Sequence, residues 1–290
     1  MEFKNFKGAL DNQSINSNRD WWEKNPMTYD WEDQNQVAEA LTKEWFQKID
    51  EKFFSISEEF AHPEFGSEPF SELINLQELK GKKVLEIGCG MGSHSGLIAR
   101  YAKELTSIDI TETAVNTTNK RFELFGLQNA KAINVDAENM PFENESFDFI
   151  WSWGVIHHSN NTDKIAKEIN RVLKIGGKAS VMIYNKNSTR YYIHGLYQGI
   201  FRLKFLRYNS LYKVNMTFTD GFIARHYTRK SARNLFKEFT DIEFLVRDAG
   251  PASFIIGWGR LLKRFPRLFK PINQWINFRW GWFLIINLEK

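Results

Sequence analysis

Gly88-Cys89-Gly90-Met91-Gly92 follows directly on the apolar run Val84-Leu85-Glu86-Ile87. A loop joining a parallel strand to its following helix leaves backbone N–H groups unpaired, and glycines keep the space above them clear. Such a loop can seat a nucleotide-like ligand. Its spacing is G-x-G-x-G, with Ser93 where the third glycine of a G-x-G-x-x-G loop would fall, so alone it is compatible with more than one cofactor. Asp109 ends the next apolar run, where sheet geometry places a side chain beside the first strand's crevice and a carboxylate can accept both hydroxyls of a ribose. Nicotinamide dinucleotides and S-adenosylmethionine both carry such a ribose. Asp136 follows the third run, in Val135-Asp136-Ala137-Glu138-Asn139-Met140. There a carboxylate and the neighbouring backbone amide could read the exocyclic amine and ring nitrogen of adenine, which dinucleotide sites have no standard need for.

Three histidines are candidate proton acceptors: His157 and His158 after the fourth run, and His226 beside Tyr227. A protein that activates a hydroxyl or an acidic carbon aligns the nucleophile, excludes water and removes a proton. A histidine in such a loop packs or caps more often than it moves a proton. The sequence has no Pro-Cys nucleophile, no Asn-Pro-Pro-Tyr or Asp-Pro-Pro-Tyr run, and no His/Asp/Glu set at convincing metal-ligand spacing.

The elements that must position these residues alternate. Strands are predicted at Lys83–Ile87, Leu105–Ile110, Ala130–Val135, Phe147–Trp151 and Ala179–Tyr184, with helices from Ser95, from Thr111 to about Phe125, and over Asp163–Leu173. Such alternation predicts an α/β fold, a mostly parallel sheet with helices on both faces and right-handed crossovers. Val37, Leu41, Trp45, Ile49 and Phe53 predict one face of a long N-terminal helix. A helix over Thr228–Phe239 and strands at Ile242–Val246 and Gly281–Leu288 complete the core.

With these elements in place, the chain resembles the class I methyltransferases, specifically the large group similar to ubiquinone/menaquinone C-methyltransferases. Val84–Gly92, Ser107–Ile110, Asp136-Ala137 and Phe147–His158 match its four motifs in order, and Leu173-Lys174-Ile175-Gly176-Gly177 matches its turn before strand five, with Ile175 in place of the usual proline. The resemblance covers about Leu79 to Tyr184 and the last strands, and says nothing of the acceptor. It implies S-adenosyl-L-methionine as cofactor on a Rossmann-like, seven-stranded, mostly parallel sheet with an antiparallel last strand. Glu86 and Gly88 would lie at the methionine end, with Gly90 and Gly92 completing the loop, Asp109 and Ile110 at the ribose, Asp136 and Ala137 at the adenine, and Trp151 in the fourth motif. It also places the His157-His158 loop opposite the transferred methyl.

The domain reading is an N-terminal helical lid over 1–78, a cofactor-binding core over 79–186, an inserted helical cap over 187–227, and 228–290 returning to the core around a basic amphipathic insertion at about 250–280. Ten Trp and twenty-five Phe suit an aromatic lid. Trp21, Trp22, Tyr29 and Trp31 could offer ring faces to a cationic acceptor, although a solvated acidic surface over core aromatics is the commoner use of such a stretch. Cys89 is the lone cysteine, so no internal disulfide forms, and with no secretory-type N-terminus or spanning stretch the cytoplasm is the default. Net charge of +4 gives no general case for nucleic acid, and none is expected as a partner. The expected reaction is methylation of a small-molecule acceptor, on a hydroxyl or a lipid- or sugar-linked group. Carbon methylation of a quinone-like ring and a catalytically silent regulatory module are the alternatives. Residues 1–80 are acidic and 186–290 basic, and 253–270 is a candidate for peripheral membrane contact or for receiving an anionic substrate. Pairing of that basic face with the acidic N-terminal part is the favoured expectation, because it explains both charge blocks at once.

Overall fold

The computed structural model describes residues 15–27, 41–61, 68–248 and 258–290. Expectations placed on Tyr29, Trp31, Val37 and the 253–257 part of the basic segment lie outside the described residues.

Strand β1 (Lys83–Ile87) is buried from Val84 onward because helices cover both faces of the sheet. It pairs in parallel with β2 (Glu104–Asp109) on one side and β4 (Phe147–Trp153) on the other. Beyond them lie β3 (Ala130–Asn134) and β5 (Leu173–Asn185), also parallel. The crossovers run through α3 (Ser93–Ala99), α4 (Glu112–Phe125) and α5 (Thr162–Val172). The Thr111 hydroxyl caps α4 by accepting from the Ala114 amide, and the Asn161 side chain caps α5. β8 (Phe283–Glu289) is antiparallel to both β5 and β7 (Asp241–Arg247), giving the order β3-β2-β1-β4-β5-β8-β7. The expected seven strands are joined by a two-residue eighth, β6 (His226–Tyr227), beside the end of β5.

From β1 the chain winds outward to β2 and β3, then returns for β4 and β5. The reversal between β1 and β4 opens a crevice at the C-terminal ends of the strands. One apolar core, including Ile87, Ile150, Ile169, Val181 and Ile286, packs under α5 and α8 (Arg229–Leu235). The other, including Val84, Leu97, Leu105, Met182 and Ile285, packs under α2 (Lys43–Ala61), α3 and α4.

Several boundaries depart from expectation for local reasons. Leu41 has φ 71° and lies outside α2, whose buried face is Phe46, Ile49, Phe53, Ser57 and Phe60. α8 stops at Leu235, and the turn that follows sends Phe236 and Phe239 into the core. Pro266 opens a second helix, where its missing N–H costs nothing: α9 (Trp258–Arg264) is followed by α10 (Pro266–Trp280), which carries Pro271 within it. The cap contains a wide helical turn, Arg190–His194, running into α6 (Gly195–Ile200), and then α7 (Leu211–Met216).

Among the described residues the two charge blocks meet at Glu72 and Arg247, and not through the basic face of the 253–270 segment. Asp50 pairs with Arg121, Glu68 with Arg100 and Glu72 with Arg247, while Arg260, Lys263, Arg264 and Arg267 form no ion pair there. No described helix is long and apolar enough to cross a membrane.

Candidate active site

A cavity of about 760 Å³ lies over the crevice. Gly88, Gly90, Asp109, Ile110, Asp136 and Ala137 line the part above β1, β2 and β3. His158, Tyr184, Asp220, Trp282 and Phe283 line the part above β4, β5 and β8. Helix α1 (Ile15–Lys24) closes one side with Trp22, and Glu23 holds it there by accepting from the Thr113 amide at 3.1 Å.

The first part has the features a nucleoside with a polar tail needs. The Gly88 and Cys89 amides both donate to the Ile108 carbonyl, which fixes the loop. At Gly90, φ is 50° and a Cβ would meet nothing within 4 Å, so this position opens onto free space. The Asp109 carboxylate is held by the Gly90 amide at 3.2 Å and by the Thr111 amide and hydroxyl at 3.0 and 2.9 Å. Burial raises its pKa, and those donors oppose the rise. Asp136 accepts from the Glu138 amide at 2.9 Å.

Three expected cofactor contacts lie elsewhere. Glu86 is buried beneath the loop rather than on the cavity wall, because it projects toward α3 and accepts from the hydroxyls of Ser95 and of Ser107, the latter at 2.7 Å. Burial pushes its pKa up to about 7. Gly92 packs against α4: a Cβ there would lie 3.0 Å from Thr118 Oγ1 and 3.1 Å from Arg121 Cδ. Trp151 is buried within the sheet's aromatic layer, with its ring 5.8 Å from and stacked on Trp153, and it is Trp153 that lines the cavity. Alternation along β4 keeps both rings on one face, and only the residue nearer the strand's end reaches the opening.

The three histidines separate in the same way. His158 lines the cavity; His157 and His226 do not. His157 turns under Tyr184, ring centroids 3.8 Å apart, and burial drives its pKa well down. His226 packs among Tyr184, Tyr191 and Trp282, and burial lowers its pKa to about 3. His158 Nδ1 lies 2.5 Å from the Ile223 carbonyl, which can only accept, so Nδ1 carries the proton and Nε2 is left as a lone pair with no partner. Gly221, at φ 81°, passes so close that a Cβ would sit 2.4 Å from that Nδ1. Burial lowers the His158 pKa, and the Asp220 carboxylate works against that.

Sequence reasoning missed Tyr184 and Asp220, and named Trp22 only as a ring face for a cationic acceptor. The Tyr184 hydroxyl, at the end of β5, donates to Asp220 Oδ1 at 2.5 Å, and burial holds the phenol well above its usual range. Asp220 is the sole carboxylate between Glu168 and Glu238, a signal that could have found it. The Trp22 ring meets His158 edge-to-face at 5.0 Å.

A family model described as a methyltransferase domain matches residues 85–181. Sterol 4-C-methyltransferase strm-1 of Caenorhabditis elegans is 31% identical over 140 residues, covering 45% of this chain and 42% of that protein. Phthiotriol/phenolphthiotriol dimycocerosates methyltransferase 1 of Mycobacterium ulcerans is 32% identical over 123 residues, covering 39% and 44%. The match thus spans less than half the length of these curated relatives. A solved SAM-dependent methyltransferase from Methanosarcina mazei shares the fold at TM-score 0.50 and 20% identity, over 74% of this chain and 95% of that one. Domain match, strand order and the loop beside Asp109 agree, and residues 85–181 are a class I methyltransferase domain whose cofactor is S-adenosylmethionine.

Proposed function

We propose that the protein transfers a methyl group to a hydroxyl of a small, largely apolar acceptor, with His158 as general base. The observation that carries this reading is one continuous cavity, lined on one side by Gly90, Asp109 and Asp136 and on the other by His158 within a wall of aromatic rings. When bound, S-adenosylmethionine supplies an electrophilic methyl on its sulfonium. Gly90 leaves room for its approach, Asp109 would hold the ribose hydroxyls, and Asp136 with the Ala137 amide would hold the adenine.

The other residues act on the acceptor. Phe60, Trp153, Met182 and Phe283 exclude water and accept an apolar body. His158 Nε2 takes the hydroxyl proton, and the Asp220 charge, steadied by the Tyr184 hydroxyl, stabilises the imidazolium that forms. This is the logic of a base whose second nitrogen is pinned by a neighbouring acceptor.

Carbon methylation is the second reading, favoured by the nematode relative, a sterol 4-C-methyltransferase. Peripheral contact of the 253–270 segment with a membrane belongs with either reading, and its described part exposes Leu261, Phe265 and Leu268. Release of S-adenosylhomocysteine across hydroxylated and ring-carbon acceptors of increasing apolar size tests the proposal. Turnover with hydroxyl acceptors that falls in His158→Ala supports it. Turnover on ring carbons alone favours the second reading, and tight cofactor binding without turnover on any class favours a silent regulatory module.

A further inference from the structure

The cap between β5 and β6 carries a surface that the cavity does not use. Residues Lys186 to Thr219 contain six Lys or Arg and no Asp or Glu. Arg190 and His194, four residues apart on one helical face, line the cavity. The outer face of that helix and of the α6 turn after it is bare: Tyr192, Ile193, Leu196, Tyr197 and Ile200 are exposed. In the run that follows, Phe201 is 73% and Leu206 84% exposed, with exposed Arg202 and Arg207 interleaved. Folded chains rarely leave large apolar side chains contiguous and bare without a partner for them.

The sheet register ties this surface to a second one. Tyr184 pairs with Phe283, and Phe283 with Arg247, so the segment between β7 and β8 leaves the sheet at the same end of the strands from which the cap rises. In it, α9 and α10 expose Leu268 (63%) and Trp275 (60%), and Arg260 to Arg279 again contains six cations and no carboxylate. Both surfaces therefore arise from the end of the strands at which the cavity lies.

We propose that the cap surface from Tyr192 to Arg207 seats on an anionic lipid bilayer. Ile200, Phe201, Leu203 and Leu206 enter the boundary between headgroups and acyl chains, and Arg202 and Arg207 meet lipid phosphates. Cations interleaved with rings and aliphatic chains, without a carboxylate, complement a negatively charged interface. A second copy of the same face would set like charges against each other. The cavity-lining Arg190 and His194 sit on the docked helix, so an apolar acceptor can pass from the membrane into the cavity beneath it. That route rests on the proposed function; the docking requires neither donor nor acceptor.

Co-sedimentation of the full chain with phosphatidylcholine vesicles, with and without phosphatidylserine, tests the proposal. The expected result is binding about tenfold tighter to the charged vesicles, weakened by salt. Phe201→Ser/Leu206→Ser should lower it about tenfold at unchanged Tm and unchanged calorimetric S-adenosylmethionine binding, and more than Leu268→Ser/Trp275→Ser does. If the apolar variant misfolds, Arg202→Glu/Arg207→Glu gives the same reading through charge. No preference for charged vesicles, wild-type binding by the folded cap variants, or a dimer that these variants convert to monomer would overturn it. Because cofactor binding is read separately, a failure of docking leaves the methyltransferase reading standing.

Discussion

Arg121 on α4 donates to both carboxylate oxygens of Asp50 on α2, at 2.7 and 3.0 Å, and its Nε donates to the Met91 carbonyl in the glycine loop at 3.0 Å. One buried guanidinium thereby joins the N-terminal helix, a crossover helix and the cofactor loop. Removing its partner leaves an uncompensated charge in the interior. Asp50→Ala should cost about 3 kcal/mol of stability. Denaturant unfolding measures this, and a loss near zero would mean that water replaces the carboxylate.

Gly90 and Gly92 should respond to the same substitution in opposite ways. Gly90→Ala places a methyl in open space at φ 50°, so stability should fall by only about 1 kcal/mol while S-adenosylmethionine binding weakens at least about tenfold. Gly92→Ala drives a methyl against Thr118 and Arg121, and should lower Tm more than Gly90→Ala does. Paired melts and titrations separate the two, and equal effects on binding would argue against Gly90 as the ligand-facing position.

If His158 is the base, His158→Gln should lower turnover about 10²-fold or more with cofactor affinity retained. His226→Gln, changed within an aromatic cluster away from the cavity, should act on Tm and leave turnover per folded molecule within a few-fold. The His158 pKa is lowered by burial, so the ring is neutral at pH 7, and turnover should fall on the acid side as the ring takes up a proton below its usual range. A rate independent of pH through that range would remove His158 from the mechanism.

Glu86 predicts a pH dependence of stability with the reverse sign. Its folded pKa, about 7, exceeds its ordinary value of 4.5, so the native state holds the proton more tightly than the unfolded chain. The contribution is fully present below pH 4.5 and is lost as pH rises to about 7. Between those values wild-type Tm should drop relative to Glu86→Gln, which does not ionise. A constant difference would mean that Glu86 titrates normally.

Much of this was legible in local pattern. The strand-loop-helix at Val84–Gly92 and the acidic ends of β2 and β3 were readable because parallel strands buried on both faces are short apolar runs and their C-terminal ends carry the polar residues. What the strands cannot disclose is depth. Trp151 and Trp153 share a face of β4, and which of them meets the cavity depends on where the crevice begins. Glu86 reads as a site residue by position, yet it folds beneath the loop because Ser95 and Ser107 are there to donate to it. Tyr184 and Asp220 lie 36 residues apart and meet only because the cap folds back over the end of β5. The separation of His158 from His157 likewise depends on a contact 65 residues away, at Ile223.

Calorimetric titration of the purified chain with S-adenosylmethionine, and in parallel with NADH, tests the central claim most directly. Saturable binding of S-adenosylmethionine at one site, weakened by Gly90→Ala and by Asp109→Ala, and no binding of NADH is the predicted result. Binding of NADH without S-adenosylmethionine, or S-adenosylmethionine binding indifferent to both substitutions, would contradict it.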